Sequence, residues 1–288
     1  MSIIATPMGY VMEYIYNLLQ NYGYSIIAFA LLAKVLMLPL SIKQKKSMIV
    51  TQRINPKLQE LQKKYANNQE KYSQEVQKLY DEYGASPMGG CGTMLLTFPI
   101  MIGLYYVVTQ PLTYFMHVPA DAIAQMAEMF DISTKVYGYQ LSICGMFAEH
   151  FDELRAICST IIPVDFTFFG IDLTVTPSFK EFSVLWIIPI LSAVTSWGYS
   201  HVTNTMNQVV SGQAAAGDEK TQQMNKTMTL LMPLMSGYFG FILPAAVGIY
   251  WIANNLFMCV QDVILTSYCL KQEKKEQELY KTGGKKLK

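Results

Sequence analysis

Five apolar runs, Tyr24–Ile42, Met94–Met116, Phe182–Ser200, Thr227–Leu243 and Ala246–Leu270, constrain this 288-residue chain more than any other feature. About 20 residues of helix, at a rise of ~1.5 Å each, cross a hydrocarbon core. Inside that core the backbone has to satisfy its own N–H and C=O groups, which leaves helices as the open-chain solution. The chain is 51% hydrophobic and 15% charged, the balance of a polytopic membrane protein rather than a soluble domain with one core. A sixth stretch, Tyr139–Ile162, is interrupted by Glu149, His150, Asp152, Glu153 and Arg155, so it belongs outside the bilayer or at its surface. The expected fold is all-α and polytopic, with five transmembrane helices.

Charge sets the orientation. Residues 43–90 hold nine Lys/Arg against five Asp/Glu, residues 271–288 seven against three, and residues 117–181 three against nine. Basic flanks stay in the cytoplasm. The 43–90 loop and the tail are therefore inside and 117–181 outside, which with five spans puts the N-terminus outside and the C-terminus inside.

The segments follow in order. Residues 1–22 lack the basic n-region and compact apolar core of a cleavable signal. Their Ile4, Met8, Val11, Met12, Ile15, Leu18 and Leu19 fall at helical spacing, which predicts an interfacial amphipathic helix. The first span is 23–42. Residues 43–90 read as a cytoplasmic helical hairpin turning at Asn67–Asn68, with Met48, Ile54, Leu58, Leu61 and Tyr65 facing Tyr72, Val76, Leu79 and Tyr83. The second span is 91–116, loosened by Pro99; the extracytoplasmic segment is 117–181; the third span is 182–203, with Pro189 inside it. Residues 204–226, with "SGQAAAG", form a cytoplasmic loop, 227–270 hold the fourth and fifth spans as a hairpin, and 271–288 are a basic cytoplasmic tail.

Lys34 stands in the middle of the first run, eight residues from both Ile26 and Ile42, or about 12 Å at helical rise. A cation at that depth is costly and is expected to face a bundle interior or a wet cavity. Polar partners are available. Ser192, Thr195, Ser196 and Tyr199 share one helix face, Trp251, Asn254 and Asn255 share another, and Thr93 and Thr97 give a weaker polar edge on the second span. No carboxylate lies deep in a span; Asp262 comes nearest, toward the inner end of the fifth. A cation among hydroxyls and amides describes a hydrophilic cavity awaiting an anion, against the plainer reading of a lysine tied into helix packing. Met224, Met228, Met232 and Met235 form a methionine stripe, suited either to varied apolar partners or to plain lipid packing.

Phosphate-binding loops, nucleophile elbows, HExxH and metal-type Cys/His spacings are absent, and His117, His150 and His201 are scattered. The chain is therefore expected to be no enzyme and to need no cofactor or metal. Cys144 and Cys158 fall in the outer segment, where a disulfide and two free thiols are both open. Cys91, Cys259 and Cys269 read as packing residues.

In order along the chain, "LLAKVLMLPLSIKQKKSM", a charged helical hairpin, "SPMGGCGTMLLTFPIMIGLYYVV", "LWIIPILSAVT" and "GIYWIANNLFMCVQ" resemble the YidC-type membrane protein insertases, over nearly all of residues 20–270. The resemblance implies a compact, Gram-positive-like member in a bacterial plasma membrane. It also implies a cationic hydrophilic groove open to cytoplasm and lipid, and insertion of new membrane proteins without nucleotide hydrolysis. The family's groove cation is typically arginine and stands here as Lys34, a point charge without the guanidinium fork; two glutamine positions of the family fall on Thr97 and Tyr199. The implied groove is lined by Lys34, Thr97, Ser192, Thr195, Ser196, Tyr199, Trp251, Asn254 and Asn255, with an apolar flank on the third and fifth spans. Implied partners are nascent membrane proteins and the bilayer. Work beside a Sec-type translocon is left open, as is ribosome contact through the tail and hairpin. The competing readings are a secondary transporter or channel with an intramembrane anion site, and an assembly factor that shields spans without translocating anything.

Overall fold

The computed structural model describes residues 2–83, 92–136, 138–211 and 219–281, with side chains described except at 2, 92–98, 211, 219–226, 228 and 276–281. The GGC motif, residues 212–217 of the "SGQAAAG" stretch and the end of the tail fall outside that set, as does the side chain of Thr97.

Pro39 divides the first apolar run. Helix α2 covers Tyr22–Leu36 and α3 Leu38–Lys64, with Met37 between them. A proline has no N–H to return to the carbonyl four residues back, so the helix expected to run unbroken from 23 to 42 restarts with Pro39 in the first turn of α3. Pro244 does the same between α11 (Glu219–Ile242) and α12 (Ala245–Lys281), where its carbonyl accepts the N–H groups of Val247 and Gly248. By length and apolarity, among the described residues, one helix stretch, Ala245–Lys275, suffices for a span, and α2 with α3 suffices if taken together. Pro99–Thr109 of α5 (Gly92–Thr109) and Thr229–Ile242 are apolar but shorter. In α10 (Ile187–Ser211) the run of hydroxyls and amides, Ser192 to Asn207, lowers the mean hydropathy.

The chain divides into two compact units, one of Met1–Val35, Leu96–Ser196 and Met232–Asn255, the other of Leu36–Leu95, Trp197–Leu231 and Leu256–Lys288. In the first, helix α1 (Ser2–Leu19) buries Ala5, Gly9, Met12 and Tyr16 and leaves Ile3, Tyr14 and Leu18 exposed. Gly9 sits against the Tyr114 carbonyl, where a Cβ would come within 1.8 Å of the oxygen. The apolar positions read from the sequence thus split between a packed stripe (Ile4, Met8, Met12) and an exposed one (Val11, Leu18, Leu19).

Segment 117–181 folds into helices α7 (Ala120–Met129), α8 (Tyr139–Gly145) and α9 (Phe147–Ile157), following the short α6 (Pro111–Tyr114). A two-stranded antiparallel hairpin, β1 (Thr167–Phe168) with β2 (Ile171–Asp172), departs from a wholly helical chain. Tyr22 of α2 packs edge-on against Phe115 and Phe166, at ring separations of 5.7 and 4.7 Å. Gln140 is buried, yet its Nε2 donates to Thr113 Oγ1 (2.8 Å) and its Oε1 accepts from Thr113 N (3.2 Å). The first N–H groups of α12 are met from the same segment: Ala245 N donates to Val175 O (2.9 Å) and Ala246 N to Leu173 O (3.1 Å). Helix N-termini otherwise leave such donors unsatisfied. Cys144 and Cys158 are both free thiols, so the disulfide left open by their shared compartment is not formed. Cys144 is buried, and Cys158 lies 3.0 Å from Thr160 Oγ1.

In the second unit, α3 and α4 (Gln69–Glu82) pack on each other around Ile54, Leu79 and Tyr80, with Leu58, Leu61 and Val76 against them. Asn68 caps α4 by accepting the Lys71 N–H at 3.0 Å. Ile49, Val210 and Cys269 make a second small core.

Candidate functional site

Lys34 lies in the last turn of α2, half-buried, between the exposed apolar side chains of Leu31, Leu32, Val35 and Leu36. Among the described residues it has no hydrogen bond and no ion pair. The break at Met37 leaves the final carbonyls of α2 without helical donors, and these carry the negative end of the helix dipole. Sequence reasoning places Lys34 mid-helix and misses this compensation; the signal for it is Pro39, five residues on.

The hydroxyl face of α10 gathers a polar cluster within the first unit. Ser236 Oγ on α11 donates to the Ser192 carbonyl (3.1 Å), and Asn255 Nδ2 on α12 donates to Thr195 Oγ1 (3.3 Å). Thr195 Oγ1 itself donates to the Leu191 carbonyl at 2.7 Å. Ser192, Ser196 and Asn255 are buried, and Ser192 Oγ is enclosed with no hydrogen-bond partner among the described residues. Three of the residues picked out in the sequence, Ser192, Thr195 and Asn255, are thus brought together, with Ser236 as the member that sequence reading missed. Part of the cluster's capacity serves packing: interhelical hydroxyl and amide bonds hold apolar helices together where no hydrophobic force between them remains.

Close backbone approach completes the seat. A Cβ at Gly240 would lie 2.7 Å from Pro189 Cα, and one at Gly248 would lie 2.2 Å from Ile188 Cγ2. Small residues at both points let α11 and α12 reach α10 at the level of Pro189.

Trp251 does not join the polar cluster in this arrangement. Its ring stacks near Phe239 at 5.9 Å and lines an apolar cavity of about 410 Å³ together with Met101, Tyr105, Leu243 and Tyr250. That cavity belongs to α5, α11 and α12, whereas the sequence points to an apolar flank on the third and fifth runs. The sequence signal for it is the spacing of Phe239, Leu243 and Val247 across Pro244 toward Trp251. On α11, Met232, Leu234, Met235 and Tyr238 are exposed, so the described half of the methionine stripe is an outward apolar face. Asn254 is half-buried next to the cluster residue Asn255, and Tyr199 is half-buried in the second unit.

Asp262 does not pair with the deep cation. Its Oδ1 takes Lys45 Nζ at 2.6 Å, and both side chains are nearly enclosed. Arg53 with Glu273 (2.6 Å), Gln52 with Asn207 (2.6 Å) and Asn204 with Thr229 (2.9 Å) continue this polar seam in the second unit. Among the described residues no three His, Cys, Asp or Glu side chains are placed to hold a metal.

The family model described as 60Kd inner membrane protein matches residues 14–275. The chain is 30% identical over 273 residues to "Membrane protein insertase YidC" of Clostridium perfringens, covering 93% of this chain and 87% of that protein. It is 30% identical to the protein of the same name from Caldanaerobacter subterraneus, covering 92% and 94%, and 27% identical to "Membrane protein insertase MisCA" of Bacillus subtilis, covering 98% and 84%.

Proposed function

The chain belongs to the 60Kd inner membrane protein family and resides in the bacterial plasma membrane, and from that membership we propose that it inserts newly made membrane proteins through a cationic hydrophilic groove. The observation that carries the groove is Lys34, a charge in an apolar helix with no acidic partner among the described residues. The relatives' printed names, membrane protein insertase, supply the substrate class.

In this reading Lys34 holds an anionic group on the substrate's translocated tail, partway across the hydrocarbon. Thr97, Ser192, Thr195, Ser196, Tyr199, Asn254 and Asn255 supply hydroxyls and amides that keep the tail solvated. The apolar cavity on α5, α11 and α12, with Trp251 in its wall, receives the substrate's hydrophobic segment before it leaves into lipid. Hydrophobic transfer and the membrane potential on an acidic tail supply the drive, so no nucleotide is consumed. The α3–α4 hairpin and the basic tail meet the ribosome through charge.

The test is insertion of a small single-span substrate with an acidic tail into proteoliposomes holding the purified protein. Lys34→Ala is expected to slow insertion at least several-fold and Lys34→Arg to preserve it. Equal rates for Lys34→Ala and the native chain overturn the electrostatic role.

A further inference from the structure

The turn of the β1–β2 hairpin is costly for the residues that make it. Phe169 and Gly170 both take positive φ, +50° and +76°. Two consecutive left-handed residues form the turn that Asn-Gly ordinarily serves, and a phenylalanine in the first position meets steric resistance. Its ring is 80% exposed, so the chain's own packing returns little for it.

The hairpin is held firmly. Phe168, the residue before, is 8% exposed and lies over Gly23, where any Cβ would come within 2.2 Å of the Phe168 ring. The seat is the first turn of α2. Tyr24, half-exposed in that turn, has its ring 5.1 Å from that of Phe168 and 6.3 Å from that of Phe169. The apolar run that starts here ends at the basic residues Lys43, Lys45 and Lys46, which mark the cytoplasmic side. The charge distribution along the sequence is thus expected to put the start of this run, and with it Tyr24 and the hairpin tip, at the outer boundary of the membrane, the level at which aromatic side chains collect.

We propose that the Phe169–Gly170 tip enters the outer leaflet of the membrane that carries the protein and anchors the extracytoplasmic segment there. The contact is shallow. Asp172 pairs with Thr167, two residues back from Gly170, or about 7 Å at a strand's rise of ~3.3 Å per residue, so its carboxylate stays at headgroup level in water. With Asp165 and Asp172 flanking the hairpin, attraction to anionic headgroups contributes nothing; the ring enters by its apolar area. The occupant is thus lipid of either charge class.

The test is site-specific photo-crosslinking of the full-length protein in liposomes of phosphatidylcholine, with and without phosphatidylglycerol. Benzoylphenylalanine replaces Phe169, and in parallel Glu128 on the exposed face of α7 and Val194 on the exposed face of α10. Phospholipid adducts on the Phe169 peptide are expected at the level of the Val194 peptide and roughly tenfold above Glu128, equally in both liposomes and independent of salt. An adduct yield at 169 no higher than at 128 overturns the proposal. So does a crosslink from 169 to a second copy of the chain, or an adduct that requires phosphatidylglycerol.

Discussion

Lys45 Nζ lies 2.6 Å from Asp262 Oδ1, joining the start of α3 to the middle of α12 where both side chains are nearly enclosed. The second carboxylate oxygen of Asp262 has no hydrogen-bond partner among the described residues. Removing one member of such a pair leaves the other charge buried and uncompensated, at a cost of about 3 kcal/mol. Asp262→Ala is expected to lower the thermal midpoint of the detergent-solubilised protein sharply. Lys45→Met with Asp262→Leu is expected to recover most of the loss; a double variant as unstable as the single one contradicts this account of the seam.

Lys34 carries the opposite expectation. A lysine costs up to about 3 kcal/mol on insertion scales, the full figure applying at a helix centre; at the end of α2 the final carbonyls offset part of that. Lys34→Leu is therefore expected to raise thermal stability while insertion of acidic-tailed substrates falls. A variant that loses stability instead places Lys34 in a structural bond.

Gly248 and Ile188 test the close approach of α12 to α10. A methyl at Gly248 meets Ile188 Cγ2 at 2.2 Å, so Gly248→Ala is expected to destabilise by about 1–3 kcal/mol through overpacking. Ile188→Ala removes the opposing methyl at its own cavity cost, so the double variant is expected to lose less than the sum of the two single variants, read from the midpoints of all three.

Cys144 and Cys158 are expected to differ in reactivity. Burial pushes the Cys144 thiol well above its ordinary range, and the Asp172 carboxylate adds to the shift, so little of it is thiolate at neutral pH. Cys158 is partly exposed. A maleimide added to the folded, detergent-solubilised protein is expected to label Cys158 and to reach Cys144 only after denaturation, as mapped by peptide mass. Equal labelling of both in the folded protein would show that the fold around Cys144 opens.

The α3–α4 hairpin is expected to divide at about Ile54. The sequence reads all of 43–90 as one helical hairpin, but Lys45, Ile49, Gln52 and Arg53 are bonded or packed to α10 and α12 within the second unit. Replacing residues 57–82 by a short Gly/Ser linker should leave the unfolding midpoint in place, whereas deletion from 43 onward should lower it. Insertion activity of the shorter deletion then reports what the hairpin tip contributes.

The membrane character and the oddity of Lys34 are set by composition along the chain: the apolar runs and the charge that interrupts the first of them depend on which residues follow one another, not on what they later touch. The helical character of α3 and α4 is local in the same way, since their periodicity and the Asn67–Asn68 turn need no distant contact. Pairing is different, because any of several residues satisfies the same chemistry and only the packed chain selects one. Asp262 takes Lys45 and leaves Lys34 to the end of a helix that Pro39 cuts short; Thr195 takes Asn255; Cys144 and Cys158 share a compartment without bonding. The tip of the β-hairpin and the cavity by Trp251 were hidden for that reason too. A two-residue strand has no periodicity to read, and an apolar wall drawn from α5, α11 and α12 exists only once residues as far apart in sequence as Met101 and Trp251 are packed side by side.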